Sequence, residues 1–478
     1  MTLHLLEQRI RVELAYTNFP SRAWMRPPAT EGAYDVAIIG GGQSGLAAAH
    51  GLRCEHVGNL VVLDRQPEGC EGVWSSFARM PRLRTHKRAS GLDFGNPLLT
   101  PQAWYTAQHG AAAWDALEKI PRETWHAYLK WYRRVLDIPV RNNTNVTGVE
   151  PSGPLLKLSL ADGSSVLARK VILATGLDGC GRWYIPPVAA GLPRSRYAHT
   201  EDRIDFQALR GARVGVLGGG ASAFDNAGTA LEAGAASVDL CIRLARMPRI
   251  NPNKWMETSG FLGHYYSLPD RERWLFMRQI GAMNQPPPQE SLWRCTAHGN
   301  FTLRTHAQWL QVRDGSQGVA VRTPSGELEF DFLIFGTGTA NDVSERPELA
   351  GFVSEIARWS DRYQPPSGEE DEALARAPYL GPAFQFTEKH PGCAPFLRNI
   401  HAFNFGATPS QGLSAASISG MKFGIRRLID GVVRDLFLED SAWHLKSLRQ
   451  YTDPEIVDFR PGLSFDEWEA GEEIQTHN

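Results

Sequence analysis

The sequence predicts an α/β fold with two nucleotide-binding units, and three observations lead to it. Two glycine-rich loops, Gly40-Gly41-Gly42-Gln43-Ser44-Gly45 and Gly218-Gly219-Gly220-Ala221-Ser222-Ala223, lie 178 residues apart. Each follows a short apolar run, residues 36–39 and 214–217, and each opens an Ala-rich helical stretch. This strand–turn–helix order is the Rossmann-like unit, in which glycines let the backbone close on a pyrophosphate at a helix N-terminus. One such loop marks a nucleotide. Two imply a pair of cofactors set to exchange electrons, and so redox chemistry.

Taken in order, residues 1–30 read as a short helix and a Pro/Arg-rich lead-in. Residues 34–39 are a buried strand, 46–52 begin the helix after the loop, and 60–63 are the next parallel strand, ending at Asp64. Two amphipathic helices are expected over 107–120 and 123–136, separated by Pro121, as a helical insertion near 100–137. Residues 140–159 and 166–173 alternate like strands, with Asp162-Gly163 as a hairpin turn, and the second run enters Ala174-Thr175-Gly176. Residues 213–217, a helix ending near Gly234 and a strand over 237–242 restart the nucleotide pattern. Residues 251–300 have weak periodicity, many aromatics and the run Pro286-Pro287-Pro288, and read as a loop-like substrate lid. Strands follow at 319–323 and 330–335, the latter ending in Gly336-Thr337-Gly338. A helix is expected over 413–423, and the tail after about 440 is polar. The chain divides as 1–180, 181–345 and 346–478, the last segment completing the first nucleotide-binding domain.

The bulk numbers exclude several partners. The 478 residues suffice for two or three domains, and a net charge of −2 gives no case for nucleic acid. No apolar run reaches the length of a membrane span, and the charged N-terminal stretch is no secretory signal. Six scattered cysteines form no CxxC pair and no zinc spacing, so a reducing, cytoplasmic setting is expected and no metal.

In the first loop Gly40 permits the tight turn, Gly42 the approach to a pyrophosphate, and Gly45 close helix–strand packing. Asp64, 19 residues beyond Gly45, is placed to accept from a ribose diol. The second loop is a relaxed version, with Gly218, Gly220, Ala221 and Ser222 and with Ala223 at the last glycine position, where a methyl should widen the helix–strand spacing slightly. Its ribose position carries no acid. Arg243 and Arg246 stand there instead and suit a 2′-phosphate, which favours NADPH over NADH.

With these motifs the sequence resembles the class B FAD- and NADPH-dependent flavoprotein monooxygenases, which include flavin-containing, Baeyer–Villiger and N-hydroxylating enzymes. The resemblance spans roughly residues 34–430. It is carried by GGGQSG with Gln43 and Ser44, by Asp64-Arg65 and the EGVW segment with Val73 and Trp74, and by the Ala174-Thr175-Gly176 segment. His199, before the second loop, and the segment 405–412 with Gln411, Gly412 and then Leu413, carry the rest. The family fingerprint F-x-G-x-x-x-H is broken here, because Pro193 and Ser195 replace its Phe and Gly. The resemblance implies FAD in the first site, NADPH in the second, dioxygen and a small organic molecule as co-substrates, and a C4a-(hydro)peroxyflavin that inserts one oxygen atom. Amine N-oxygenation or N-hydroxylation leads; Baeyer–Villiger or sulfur oxygenation follows. A flavin-dependent NAD(P)H oxidase or disulfide reductase, which needs a reactive cysteine arrangement, and a non-catalytic nucleotide-binding protein are remoter readings. His86 takes the place of a family asparagine near the reactive flavin face, with Lys87 and Arg84 as nearby cations, and Asn226 is a candidate for the nicotinamide side. Gly412 and the helix expected after it would offer N–H groups to reduced flavin. A homodimer or homotetramer is the expected assembly.

Overall fold

The computed structural model describes residues 1–316, 318–415 and 417–475. Helix α1 (Leu3–Tyr16) is capped by Thr2 and buries Leu6 and Ile10. Strand β1 (Tyr34–Ile39), helix α2 (Gln43–Cys54) and strand β2 (Leu60–Leu63) form the first nucleotide-binding unit. Helices α3 (Pro101–His109), α4 (Ala111–Ala116) and α5 (Arg122–Val135) make the insertion. The single helix expected over 107–120 is two, because Gly110 at φ +84° ends α3, while Thr100 and Pro101 start it early. Strands β3 (Val140–Arg141), β4 (Val146–Ser152), β5 (Leu155–Leu160) and β6 (Ser165–Leu173) follow. The run expected over 140–159 is thus divided, with a turn through Gly153 at φ +60°.

Strands β7 (Gly181–Trp183), β8 (Tyr197–His199) and β9 (Arg213–Leu217), helix α6 (Ala221–Glu232) and strand β10 (Ser237–Cys241) carry the second unit. The stretch expected to be loop-like holds four helices: α7 (Pro252–Met256), α8 (Ser259–His264), α9 (Asp270–Met283) and α10 (Gln289–Thr296). Their starts are set by Asn251 and Thr258 caps and by Pro269 and Pro288, and most are too short for periodicity to show. Strands β11 (Phe301–Arg304), β12 (Gln311–Gly315), β13 (Gly318–Thr323), β14 (Gly326–Phe330), β15 (Phe332–Phe335) and β16 (Thr339–Asn341) come next. The strand expected over 330–335 breaks at Asp331, whose carboxylate accepts the Arg213 backbone N–H at 2.7 Å and its guanidinium at 2.9 Å. Helix α11 (Glu372–Arg376), strand β17 (Ile400–His401), helix α12 (Thr408–Gln411) and helix α13 (Ile418–Glu439) follow.

Two sheets position the site. In the first, of seven strands, the order is β3-β2-β1-β6-β5-β4, and β17 lies parallel to β6 through Ile400–Val171 and His401–Ile172. The first nucleotide-binding domain is therefore discontinuous, completed from beyond residue 346. The second sheet is parallel, in the order β11-β10-β9-β15-β8, with β12, β13 and β14 as a separate antiparallel sheet. Its core joins Val214, Val216, Val238 and Leu240 to Phe224, Ala227 and Leu231 of α6, with Cys295 of α10. In the insertion Trp125, Tyr128, Trp131 and Tyr132 are buried on one face of α5, so several of the tryptophans are core. Residues 1–433 form one compact unit and 434–478 another, the latter containing α14 (Ser441–Arg449), strands β18 (Asp458–Arg460) and β19 (Leu463–Ser464), and α15 (Phe465–Gln475). Among the described residues no helix is long and apolar enough to cross a membrane, and no cluster of His, Cys, Asp and Glu could hold a metal.

Candidate active site

A cavity of about 1000 Å³ opens where the strands of the first sheet end. Its floor is the first glycine loop. Gly40, at φ +108°, lets the backbone turn where a Cβ would meet Ala174 O at 2.5 Å, and a Cβ on Gly45 would lie 1.8 Å from Gly40 O. Gly42 caps α2 with no side chain, which leaves the helix N–H groups open to a phosphate. Gly40, Gly42, Gln43 and Ser44 line the cavity, whereas Gly45 acts through packing. Asp64, 6% exposed, sits at the end of β2. Its Oδ2 accepts from Gly41 N at 2.6 Å and its Oδ1 from Gln66 N at 2.7 Å; burial nonetheless raises its pKa above the usual carboxylate value. The carboxylate has lone pairs left for a ribose diol.

The walls come from elements far apart in sequence. Arg65 pairs with Asp178, which also accepts from Trp183 Nε1 at 3.0 Å. Val73 and Trp74 line the cavity, and Trp74 packs edge-on against Trp125, ring centroids 6.3 Å apart. Thr175 and Gly176 are tied to the returning C-terminal segment by Asn404, whose amide donates to Thr175 Oγ1 at 3.2 Å and whose Oδ1 accepts from Gly406 N at 2.9 Å. Phe405 N adds a bond to Gly176 O at 3.0 Å. No sequence motif marks Asn404, although it stands directly before the segment 405–412.

That C-terminal segment departs from expectation. The helix starts at Ile418, not Leu413, and Ser417 caps it by accepting from Gly420 N at 3.0 Å. Gly412 N–H is committed to Thr408 O at 2.8 Å. Gln411 is 2% exposed and donates to Gly381 O at 2.8 Å while accepting from Arg427 at 2.8 Å, so it braces the loop and does not line the cavity. Leu413, Ser417, Ile418 and Ser419 do line it, which brings the α13 N-terminus to the cavity in place of Gly412.

His86 is exposed and lines the cavity. Its Nδ1 accepts from Arg88 N at 3.2 Å, so the neutral ring carries its proton on Nε2. The neighbouring cations are occupied. Lys87 caps α4 through the carbonyls of Trp114 (2.8 Å) and Leu117 (2.5 Å), and Arg84 pairs with the buried Asp225 at 2.9 Å. Glu201 also lines the cavity; burial, then Asp178 and Asp202, push its carboxyl up to about 7.

The second loop lies outside this lining. Gly218 at φ +146° and Gly220, with open space where a Cβ would stand, precede Ala221 and Ser222 at the start of α6. Arg243 and Arg246 are exposed beyond β10 and have no carboxylate partner among the described residues. Asn226 is 1% exposed; its amide donates to Ser222 O at 2.8 Å, and its Oδ1 meets no donor among the described residues. Neither Asn226 nor His199 lines the cavity. His199 is buried against Trp183, ring centroids 5.2 Å apart, and burial pushes its pKa down to about 4. The donor sets fit the two cofactors: a side-chain-free helix N-terminus with an acid for a ribose in the first site, and a second such N-terminus with an orphaned buried acceptor and two unpaired arginines in the other.

Comparison with known proteins agrees. A family model described as FAD-NAD(P)-binding matches residues 37–178, and one described as L-lysine 6-monooxygenase/L-ornithine 5-monooxygenase matches residues 114–292. The chain belongs to the class B flavoprotein monooxygenases and is an FAD-dependent monooxygenase. Over 96% of its length it is 45% identical to the FAD-dependent urate hydroxylase of Xanthomonas campestris pv. campestris, of which it covers 98%. In fold it is similar to the L-lysine 6-monooxygenase of Pseudomonas syringae (TM-score 0.66, 19% identity, 84% of this chain and 99% of that one). The ornithine hydroxylase of Pseudomonas aeruginosa gives a TM-score of 0.65 at 16% identity, covering 84% of this chain and 100% of that one.

Proposed function

We propose that this enzyme uses NADPH and dioxygen to hydroxylate a planar, nitrogen-rich, anionic ring of the urate class. One oxygen atom enters the ring and the other leaves as water, with NADPH supplying the two electrons. The observation that carries the reading is 45% identity to a urate hydroxylase along 96% of the chain, which spans both nucleotide sites and the helices α7 to α10. Bound FAD supplies the oxygen-activating chemistry. The chain's own residues bind, orient and exclude water. The α2 N-terminus at Gly42 and Asp64 would hold the FAD pyrophosphate and ribose, with Gln43, Ser44, Thr175 and Gly176 beside them. The α6 N-terminus at Gly220, Ala221 and Ser222 would hold the NADPH pyrophosphate, and Arg243 and Arg246 its 2′-phosphate. Trp74 and Leu413 supply apolar wall, and His86 offers Nε2–H as a donor within the cavity.

N-hydroxylation of an aliphatic amine is the second reading, favoured by the family model over residues 114–292. The test follows NADPH oxidation and oxygen uptake by the FAD-loaded enzyme with urate and with L-ornithine, L-lysine and cadaverine. Loss of the urate ultraviolet band in step with NADPH supports the first reading. A hydroxylated amine, with urate inert, replaces it by the second.

A further inference from the structure

Six basic side chains line the cavity, namely Arg65, Arg84, Lys119, Arg203, Lys254 and Arg346. Four are already paired. Arg65 meets Asp178, Arg84 meets Asp225 at 2.9 Å, Lys119 meets Glu290 at 3.7 Å and Arg346 meets Glu348 at 2.7 Å. Lys254 and Arg203 have no carboxylate within ion-pair reach among the described residues. Lys254 stands exposed on α7, in the insertion, and shares the cavity lining with three carboxamides, Asn251, Asn253 and Gln285. Asn251 spends its Oδ1 on Asn253 N at 3.0 Å and keeps its Nδ2. The side chains of Asn253 and Gln285 make no hydrogen bond among the described residues. Gln285, itself exposed, follows the C-cap of α9, Asn284 at φ +53°, and precedes the buried Pro286 and Pro287.

This donor set has a definite complement. An ammonium supplies a point charge, and a carboxamide presents donors and an acceptor in one plane. An anionic ring edged by alternating N–H and C=O groups meets both. A primary ammonium substrate would meet repulsion from Lys254, while Glu257, exposed at the C-cap of α7, and Glu201 are acids of the lining that make no ion pair among the described residues.

We propose that Lys254, with the carboxamides of Asn251, Asn253 and Gln285, forms the subsite that takes the anionic, imide-edged ring, so that substrate charge sets specificity together with shape. The inference rests on the urate-class reading above. The experiment is calorimetric titration of the full-length, FAD-loaded enzyme with urate and with hypoxanthine, a neutral planar ring, for wild type, Lys254→Met, Lys254→Arg and Gln285→Ala. Lys254→Met should weaken urate tenfold or more and hypoxanthine less than twofold, while Lys254→Arg stays within threefold of wild type for both. Gln285→Ala should weaken both rings. Wild type that binds urate, with Lys254→Met within twofold of it or losing both rings equally, overturns the subsite alone. Wild type that binds L-ornithine and not urate overturns the subsite and the substrate reading together.

Discussion

Removing the Asp225 carboxylate should loosen the cavity wall more than the sheets beneath it. Asp225 is 1% exposed on α6 and gathers three segments. Its Oδ2 accepts from Arg84 at 2.9 Å, in the stretch after Trp74, and its Oδ1 accepts from Ser291 Oγ at 2.6 Å, on α10; Arg294 stands 3.8 Å away. In Asp225→Ala the Ser291 hydroxyl, 3% exposed, loses its acceptor, at a cost of about 1–3 kcal/mol. A fully buried ion pair broken on one side costs about 3–5 kcal/mol. The Arg84 side chain is 35% exposed and regains water, so its share is nearer 1–2 kcal/mol. Arg294 keeps Glu232 at 2.7 Å and adds little. The sum is about 3 kcal/mol. Arg84→Met alone should cost about 1–2 kcal/mol, and the double variant less than the two together by about 1 kcal/mol, because one interaction is counted twice. Urea midpoints of the FAD-loaded protein, compared at a common slope, measure this coupling. Stopped-flow reduction by NADPH gives the functional side. Asp225→Ala should slow flavin reduction at saturating NADPH more than it raises the NADPH Kd, because it frees the cavity wall from α6. Additive midpoint shifts, or an unaltered reduction rate with a lowered midpoint, would refute the reasoning.

Other substitutions test single links. Gly45→Ala puts a Cβ 1.8 Å from Gly40 O and forces α2 away from β1, so the protein should purify without flavin absorbance; wild-type FAD stoichiometry would contradict this. Arg243→Ala should raise the NADPH Kd about tenfold while NADH is little changed, as expected for loss of one charge-assisted phosphate contact, and equal losses would remove its phosphate role. His50 is buried and its pKa is pushed down to about 4 from 6.5. Between those values the unfolded chain binds a proton that the folded chain refuses, so stability rises with pH across the window and is lost on acidification. At pH 5 this amounts to about 2 kcal/mol. His50→Gln should lessen the fall in urea midpoint from pH 7 to pH 5, and a parallel fall in both proteins would exclude His50 as a source.

The first nucleotide-binding unit was legible in the sequence because each requirement is local. Gly40, Gly42, Gly45 and Asp64 lie within one strand–helix–strand passage, and backbone geometry restricts the residue types that serve there. What escaped depends on partners distant in sequence. Asn404 matters through Thr175, 229 residues away, and no motif records that pairing. Gln411 looks like a ligand from its place beside Gly412, yet it is buried away from the cavity lining with its amide bonded to Gly381 and Arg427. Lys87 looked like a free cation near His86, but the carbonyl end of α4 takes it. In the insertion, helices such as α7 and α8 are too short for apolar periodicity to register, and their Asn251 and Thr258 caps emerge only with the structure.

The second loop shows how a departure from a motif can be repaired elsewhere in the chain. Ala223 occupies the place of the third glycine, and its extra methyl should hold α6 off the sheet. The methyl is instead accommodated by the strand end beside it. β15 runs parallel to β9, Gly336 N bonds Leu217 O at 2.8 Å, and a Cβ on Gly336 would lie only 2.6 Å from Ala223 Cβ. The absent hydrogen-for-methyl space at position 223 has been moved to position 336. Close packing of helix on sheet is therefore kept by a pair of residues, one in the loop and one in the Gly336-Thr337-Gly338 run. A relaxed fingerprint at the first position is compatible with an intact nucleotide site when the second position is glycine.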